Sequence, residues 1–308
     1  MRMTLSDFRH IRARIQPHIR LTPIVPSELP NLFLKLENLQ YTHSFKVRGA
    51  YAYILELLQT GNTKTVLTVS AGNHGLAIAH AAAIFKIPCV VVVPANTPRT
   101  KIEVIRRNGA EFRIEGTNYD EAEAWTLQLA KRTNDYVFAS PYNDHFVILG
   151  QGTLGFEILE QLSGVSTIVV PIGGGGLAAG VAAVVKQLRP RVRVVGVQAE
   201  VSAAMYHSLE AGRMITVADH SSIADGIAGN IDLQTMTFPL IQKYVDDVVL
   251  VSEDEIKTAI YTLLNREKLV AEGSAAAAFA AVTTGKVHSV EPIVAIITGG
   301  NIDLPPVC

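Results

Sequence analysis

Cysteine is scarce: the 308 residues hold two, Cys89 inside an apolar run and Cys308 at the chain end. Two thiols so placed build no disulfide framework, and a reducing compartment is the default, so the chain reads as cytoplasmic. An excess of charge of one sign is missing as well. Lys and Arg total 27 against 28 Asp and Glu, a net charge of −1, and no basic block stands out. That argues against nucleic acid and other polyanionic partners. Neither H-E-x-x-H nor C-x-x-C occurs, so no zinc-type spacing is present, and the absence of G-x-S-x-G leaves Ser-His-Asp hydrolysis without support. The N-terminal MRMTLSDFRHIRARI has no secretory apolar core and reads as a capped surface helix. One stretch, 168–185, runs 18 residues without a charge, but Pro171 and four glycines would break a membrane span near its start.

What is present is an apolar, well-filled chain: 48% apolar and 18% charged, long enough for one large or two ordinary domains. Strand-like runs alternate with helical ones. VLTV at 66–69 precedes a helix through 76–83, and CVVVV at 89–93 precedes a helix from Pro98 to the Asn108-Gly109 stop. Residues 191–198, 247–251 and 292–297 read as further strands. Ser252 with Glu255 forms a capping-box pattern ahead of another helix. Continuous β-branched runs bounded by helices predict parallel sheets covered on both faces, the α/β class, with ligands at the carboxyl ends of strands. No linker or repeat marks a boundary, and two lobes sharing a cleft fit better than separate beads.

Three glycine-containing turns follow apolar strands: SAGNHG at 70–75, the tetrad Gly173, Gly174, Gly175 and Gly176, and TGGN at 298–301. A side-chain-free turn opening a helix is an anion site, because backbone N–H groups and the helix dipole both face the ligand. No Lys-Ser/Thr follows the tetrad, so it is not a Walker A loop, nor does it match G-x-G-x-x-G. A phosphate-bearing cofactor is the expectation. Lys46, beside Phe45 at the start of a helix running through 51–58, is the cation of interest. A lysine at a positive helix N-terminus loses its proton readily, and a neutral amine is what a carbonyl cofactor requires.

The string KLENLQYTHSFKVRGA at 35–50 resembles the lysine motif of fold-type II pyridoxal-phosphate enzymes, in the threonine/serine dehydratase and serine racemase family. The resemblance continues through SAGNHG, GQGTLGFEI, VVPIGGGGLAAG, VSEDEI and TGGNIDL, and so spans nearly the whole chain in order. It implies a two-lobed, tryptophan synthase β-like fold of parallel-rich sheets flanked by helices. The large domain would comprise residues 1–40 and 144–308, the small one 41–143, and the assembly would be a homodimer. It implies that Lys46 holds pyridoxal 5'-phosphate covalently and later removes the substrate α-proton. Gly173, Gly174, Gly175, Gly176 and Leu177 would bind the phosphate. Phe45 would pack on the ring, Asn73 would bond the ring hydroxyl, and Thr298 would meet the ring nitrogen. Ser70, Ala71, Gly72, Asn73 and His74 would take the substrate carboxylate.

The implied activity is ammonia-lyase chemistry on a β-hydroxy-α-amino acid, L-threonine or L-serine, giving a 2-oxo acid and ammonia. Departures from the family pattern bear on this. Racemases carry a second serine where this chain has Ala71, which argues against racemisation. Their divalent-cation carboxylates correspond to Gln198 and Ala204 here, with only Glu200 nearby, so no metal is expected. His43 replaces the usual glycine, and Phe146 and Leu149 look bulky, which points to a larger hydroxylated substrate as one alternative and leaves a racemase as another. The chain ends soon after Asp303, so isoleucine-type feedback through a C-terminal domain is not expected, and a catabolic role is more natural. From another class, a non-catalytic phosphate-metabolite binding module would use the tetrad but leave Lys46 and the 298–301 turn without a purpose.

Overall fold

The computed structural model describes residues 3–302 apart from 219 and 290, so Asp303 and Cys308 lie outside the described residues. After helix α1 (Leu5–Ile15) come β1 (Ile24–Pro26) and β2 (Leu32–Leu36). The chain then alternates through α2 (Lys46–Gln59), β3 (Thr65–Val69), α3 (Asn73–Ile84), β4 (Cys89–Val93), α4 (Arg99–Arg107), β5 (Glu111–Ile114), α5 (Tyr119–Arg132) and β6 (Tyr136–Phe138). The second half contains α6 (His145–Gln161), β7 (Thr167–Pro171), α7 (Gly176–Leu188), β8 (Arg193–Ala199), α8 (Ala204–Glu210) and α9 (Thr237–Tyr244). It finishes with β9 (Asp247–Val251), α10 (Glu253–Asn265), α11 (Gly273–Thr283) and β10 (Ile293–Ile297).

These strands form two sheets. The larger has the order β1-β2-β10-β7-β8-β9 and is parallel except where β1 pairs with β2. The smaller, β5-β4-β3-β6, is parallel throughout. Every residue of β4, β7 and β10 is buried, as expected of strands covered on both faces. The covering helices are apolar where they touch the sheet: α11 buries an unbroken run of alanines with Phe279, and α7 is buried from Gly176 to Val185. Helices α6 and α7 cross at backbone contact. A Cβ on Gly152 would lie 2.8 Å from the Gly180 carbonyl oxygen, and one on Gly180 would lie 2.5 Å from the Ile148 carbonyl. The GQGTLG string therefore lies inside a helix and serves packing.

Parallel strands point their carboxyl ends to one edge, so the turns after β7 and β10 emerge at the same edge of the larger sheet and the turn after β3 at the corresponding edge of the smaller. The capping box at Ser252 forms as expected: its hydroxyl accepts from Glu255 N at 3.3 Å, and Ser252 N donates to the Glu255 carboxylate at 2.7 Å. A second one, Thr4 with Asp7, opens α1. The structure adds short strands that periodicity does not announce, β1, β2, β5 and β6. It also begins β8 at Arg193 and ends it at Ala199, a shift of the expected strand toward its apolar core. Among the described residues no helix is long and apolar enough to cross a membrane.

Candidate active site

The loop before α2 is sewn to the turn after β10. Phe45 N donates to the Thr298 carbonyl at 3.0 Å, Gly300 N donates to the His43 carbonyl at 3.0 Å, and Ser44 bridges Gly299. Asn301 Nδ2 adds a bond to the Thr42 carbonyl at 2.8 Å. To make these contacts Thr42 and His43 adopt φ of 61° and 56°, left-handed values that cost a side-chain-bearing residue free energy. The His43 side chain is exposed, and only its backbone enters this network. Thr298 itself is buried, 3% exposed.

Lys46 is the first residue of α2. Its amine donates to the Pro141 carbonyl at 2.9 Å and lies 5.3 Å from the centre of the Phe45 ring. The residue as a whole is half-buried. Burial pushes its pKa down to about 8, and the Glu272 charge, the smaller effect, pulls the other way. Roughly a tenth of such amines are neutral at pH 7, against fewer than about one in a thousand at the ordinary lysine value.

The turn after β3 presents a different set of groups. Ser70 Oγ accepts from Gly72 N at 3.1 Å, Ala71 is partly exposed, and Asn73 opens α3. Asn73 is tied across to the other sheet: its Nδ2 donates to Glu272 at 2.6 Å and its Oδ1 accepts from Asn301 at 2.7 Å. His74 is buried, with Nε2 3.0 Å from the Ala139 carbonyl. Burial and then the Lys46 charge push its pKa down to about 3, so the imidazole is neutral, and the Ala139 bond makes Nε2 the protonated nitrogen.

The tetrad forms the turn between β7 and α7. Gly175 is the N-cap of α7 with φ of 87° and no side-chain cap, which leaves the first N–H groups of the helix to a ligand. Its neighbours fill every direction a side chain would take. A Cβ on Gly174 would sit 2.2 Å from the Tyr142 ring, one on Gly173 3.0 Å from Ile227 Cα, and one on Gly176 2.6 Å from Gln151 Oε1. None of these nearest groups is acidic. Thr237 Oγ1 donates to the Gly174 carbonyl at 2.7 Å, and Leu177 is buried in the first turn of α7. Residues 141 and 142 link the two halves of the site, since the Pro141 carbonyl takes the Lys46 amine and Tyr142 covers Gly174.

The structure thus brings Phe45, Lys46, Asn73 and Thr298 into one bonded neighbourhood and connects it to the tetrad through 141–142. Sequence reasoning does not single out Glu272, Pro141 or Tyr142 and gives Asn301 no role beyond its place in the 298–301 turn; the hydrogen bonds they make span from 90 to 228 residues of chain. At the positions expected to lack a cation site, Gln198 Oε1 accepts from Tyr206 N at 2.7 Å and Ala204 begins α8. Leu149 belongs to the core of α6, while Phe146 is half-buried against His145.

The chain as a whole is similar to known proteins. The family model described as pyridoxal-phosphate dependent enzyme matches residues 15–299. An L-threonine ammonia-lyase of Thermotoga maritima is 41% identical over 308 residues, covering 98% of this chain and 76% of that one. Among solved structures, a threonine deaminase from T.th. superposes with a TM-score of 0.90 at 35% identity, over 99% of this chain and 100% of that chain. Maize serine racemase superposes with a TM-score of 0.90 at 33% identity, over 97% and 94%.

Proposed function

The chain belongs to the family of pyridoxal-phosphate dependent enzymes, and from that premise we propose that it is an ammonia-lyase of the threonine/serine type. It converts a β-hydroxy-α-amino acid, L-threonine or L-serine, to a 2-oxo acid and ammonia. The observation that carries the reading is the Lys46 amine: buried, down-shifted to about 8, and held by a single backbone carbonyl in the bonded neighbourhood of the 298–301 turn. The residues present fit the cofactor. The uncapped N-terminus of α7, with non-acidic neighbours and no room for side chains, suits a phosphate, and the amine suits an aldehyde.

In this reading the N–H groups of Gly173, Gly174, Gly175, Gly176 and Leu177 hold the phosphate. Phe45 packs against the ring, the Thr298 hydroxyl meets the ring nitrogen, and Asn73 meets the ring hydroxyl. Pyridoxal phosphate supplies an aldehyde that bonds amines and a ring that withdraws electrons from the substrate Cα. The Ser70 hydroxyl and the N–H groups at the start of α3 hold the substrate carboxylate, with Ala71, Gly72 and Asn73 shaping that turn. His74, neutral and committed to Ala139, stiffens the turn and contributes no charge. Lys46 Nζ, once neutral, takes the proton from Cα on its own face. Ala71 offers no proton donor or acceptor, so a second base is missing and elimination prevails over racemisation. His43 stands as a side chain where the family carries glycine, at a left-handed backbone, and it narrows the choice of side chain the substrate can carry. The lobe of residues 41–143 closes on the rest and excludes water from the reacting atoms. The enzyme works as a cytoplasmic homodimer, a reading supported by the family resemblance.

The test is a panel of β-hydroxy amino acids, scored by kcat/KM for oxo-acid and ammonia release, alongside interconversion of serine enantiomers. The expected result is faster release from L-threonine or L-serine than any interconversion, with slow racemisation appearing in Ala71→Ser. Enantiomers interconverting faster than ammonia is released would make the protein a racemase.

A further inference from the structure

The Asn73 amide has two chemically different ends, and its surroundings fix which end faces where. The Thr42 carbonyl only accepts, so the Asn301 atom 2.8 Å from it is the amide nitrogen. That same nitrogen lies 2.7 Å from Asn73, which therefore presents its oxygen there. Asn73 Nδ2 is then left to face the Glu272 carboxylate at 2.6 Å, again a group that only accepts when ionised. An amide nitrogen carries two protons. Glu272 takes one, and the other remains.

Glu272 is well placed to do this. It is the N-cap of α11, 8% exposed, and its own N–H donates to the Gly299 carbonyl at 3.1 Å. A Cβ on Gly299 would fall 2.5 Å from Glu272 Oε1 and 3.2 Å from Asn73 Nδ2, so the missing side chain there is what lets carboxylate and amide meet. We infer that Glu272, together with Asn301, is a positioning residue that locks the Asn73 amide in one orientation and leaves its second N–H for the cofactor. This rests on the reading of Lys46 and Asn73 given above. Glu272 acts on Lys46 as well, through charge alone: among the described residues its carboxylate and His74 are the titratable groups coupled to that amine, and His74 is neutral. The negative charge of Glu272 favours the ammonium form.

The experiment separates orientation from charge with three variants. Glu272→Gln keeps an acceptor for Asn73 Nδ2 but loses the charge. Glu272→Ala loses both, and Asn301→Ala frees the other end of the amide. Each protein is stripped of cofactor and its thermal melting compared with the parent. Pyridoxal phosphate affinity is then titrated by absorbance, and the pH midpoint for acetylation of Lys46 is mapped by peptide mass in the stripped form. Glu272→Ala should weaken cofactor binding about tenfold, the scale of one charge-assisted hydrogen bond, and Asn301→Ala about threefold. Glu272→Gln should bind within about twofold of the parent while its acetylation midpoint moves to lower pH, and Asn301→Ala should leave that midpoint in place. Parent-like affinity in both Asn301→Ala and Glu272→Ala would overturn the inference; an unmoved midpoint in Glu272→Gln would overturn the charge effect on Lys46. Should Glu272→Ala fail to fold, the other two variants decide. If the parent takes up no pyridoxal phosphate, the reading of the site itself falls; if it loads on Lys46 and the variants match it, only the role of Glu272 does.

Discussion

Two lysines eleven positions apart are both withdrawn from water, and the regions that hold them differ. Lys35, on β2, is fully buried and donates to the Thr22 carbonyl at 2.6 Å, Glu157 at 2.7 Å and Gln161 at 2.9 Å. Beside it Arg48 bonds Glu37 at 2.7 and 2.9 Å and Glu157 at 2.7 and 2.9 Å, so two cations and two carboxylates close a neutral set. Burial pushes the Lys35 pKa down and Glu157 and Glu37 pull it back up. Burial likewise pushes Glu37 up, but the Arg48 charge and hydrogen bonds, the Lys35 charge and the Thr22 hydroxyl together outweigh it and hold that carboxyl below its usual range. Lys46, two residues before Arg48 on the same helix, has one carbonyl and one carboxylate that acts on it through charge. A compensated buried cation is scaffold, whereas an under-compensated one is reactive. The scaffold also serves the site, because the charge set anchors the first turn of α2 from which Lys46 projects.

The contrast breaks hardest at Lys46. Lys46→Ala should lower turnover by more than about 10³-fold while leaving the fold intact, read by steady-state kinetics and by melting of the cofactor-free protein. Arg48→Met should do the converse. It strands Glu37 in the interior and leaves Glu157 with Lys35 as its remaining cation, and urea unfolding should show a loss of about 3–5 kcal/mol.

A subtler difference follows from proton linkage. An unfolded lysine holds its proton to about 10.5, and the folded, cofactor-free protein holds it on Lys46 only to about 8. Between those pH values the unfolded chain binds more protons, so stability should rise with pH. Below about 8 both states are protonated and the cost of burying the ammonium is constant. Lys46→Met should lack that rise, and subtracting the two urea-derived profiles removes the Lys35 contribution common to both. The smallest effect is expected from replacing a matched pair: Lys35→Met with Glu157→Gln keeps Arg48 bonded to Glu37 and should change stability by about 1 kcal/mol or less.

Legibility in the sequence follows locality. The tetrad is readable because strand, turn and helix are contiguous, and the Ser252–Glu255 box because its partners lie three residues apart. Lys46 stands out only with Phe45 and the motif around it; its down-shifted pKa depends on the enclosure that Pro141 and the turn after β10 provide. The short strands escape notice because β1, β5 and β6 are three or four residues long and half-buried at best, too brief for a period of two to register. The Asn73–Glu272–Asn301 network joins the turn at residue 73 to partners 199 and 228 residues further along the chain, and only the fold makes them neighbours. His74 reads from the sequence either as part of the turn that takes the substrate carboxylate or as a satisfied turn histidine, and its ring faces inward to Ala139.

The contrast stands or falls on whether Lys46, and not its compensated neighbour, bears the cofactor. Borohydride reduction of the purified protein loaded with pyridoxal phosphate, followed by peptide mass mapping, answers this. The phosphopyridoxyl label should lie on Lys46 with Lys35 unmodified; a label on another lysine, or none at all, would refute it.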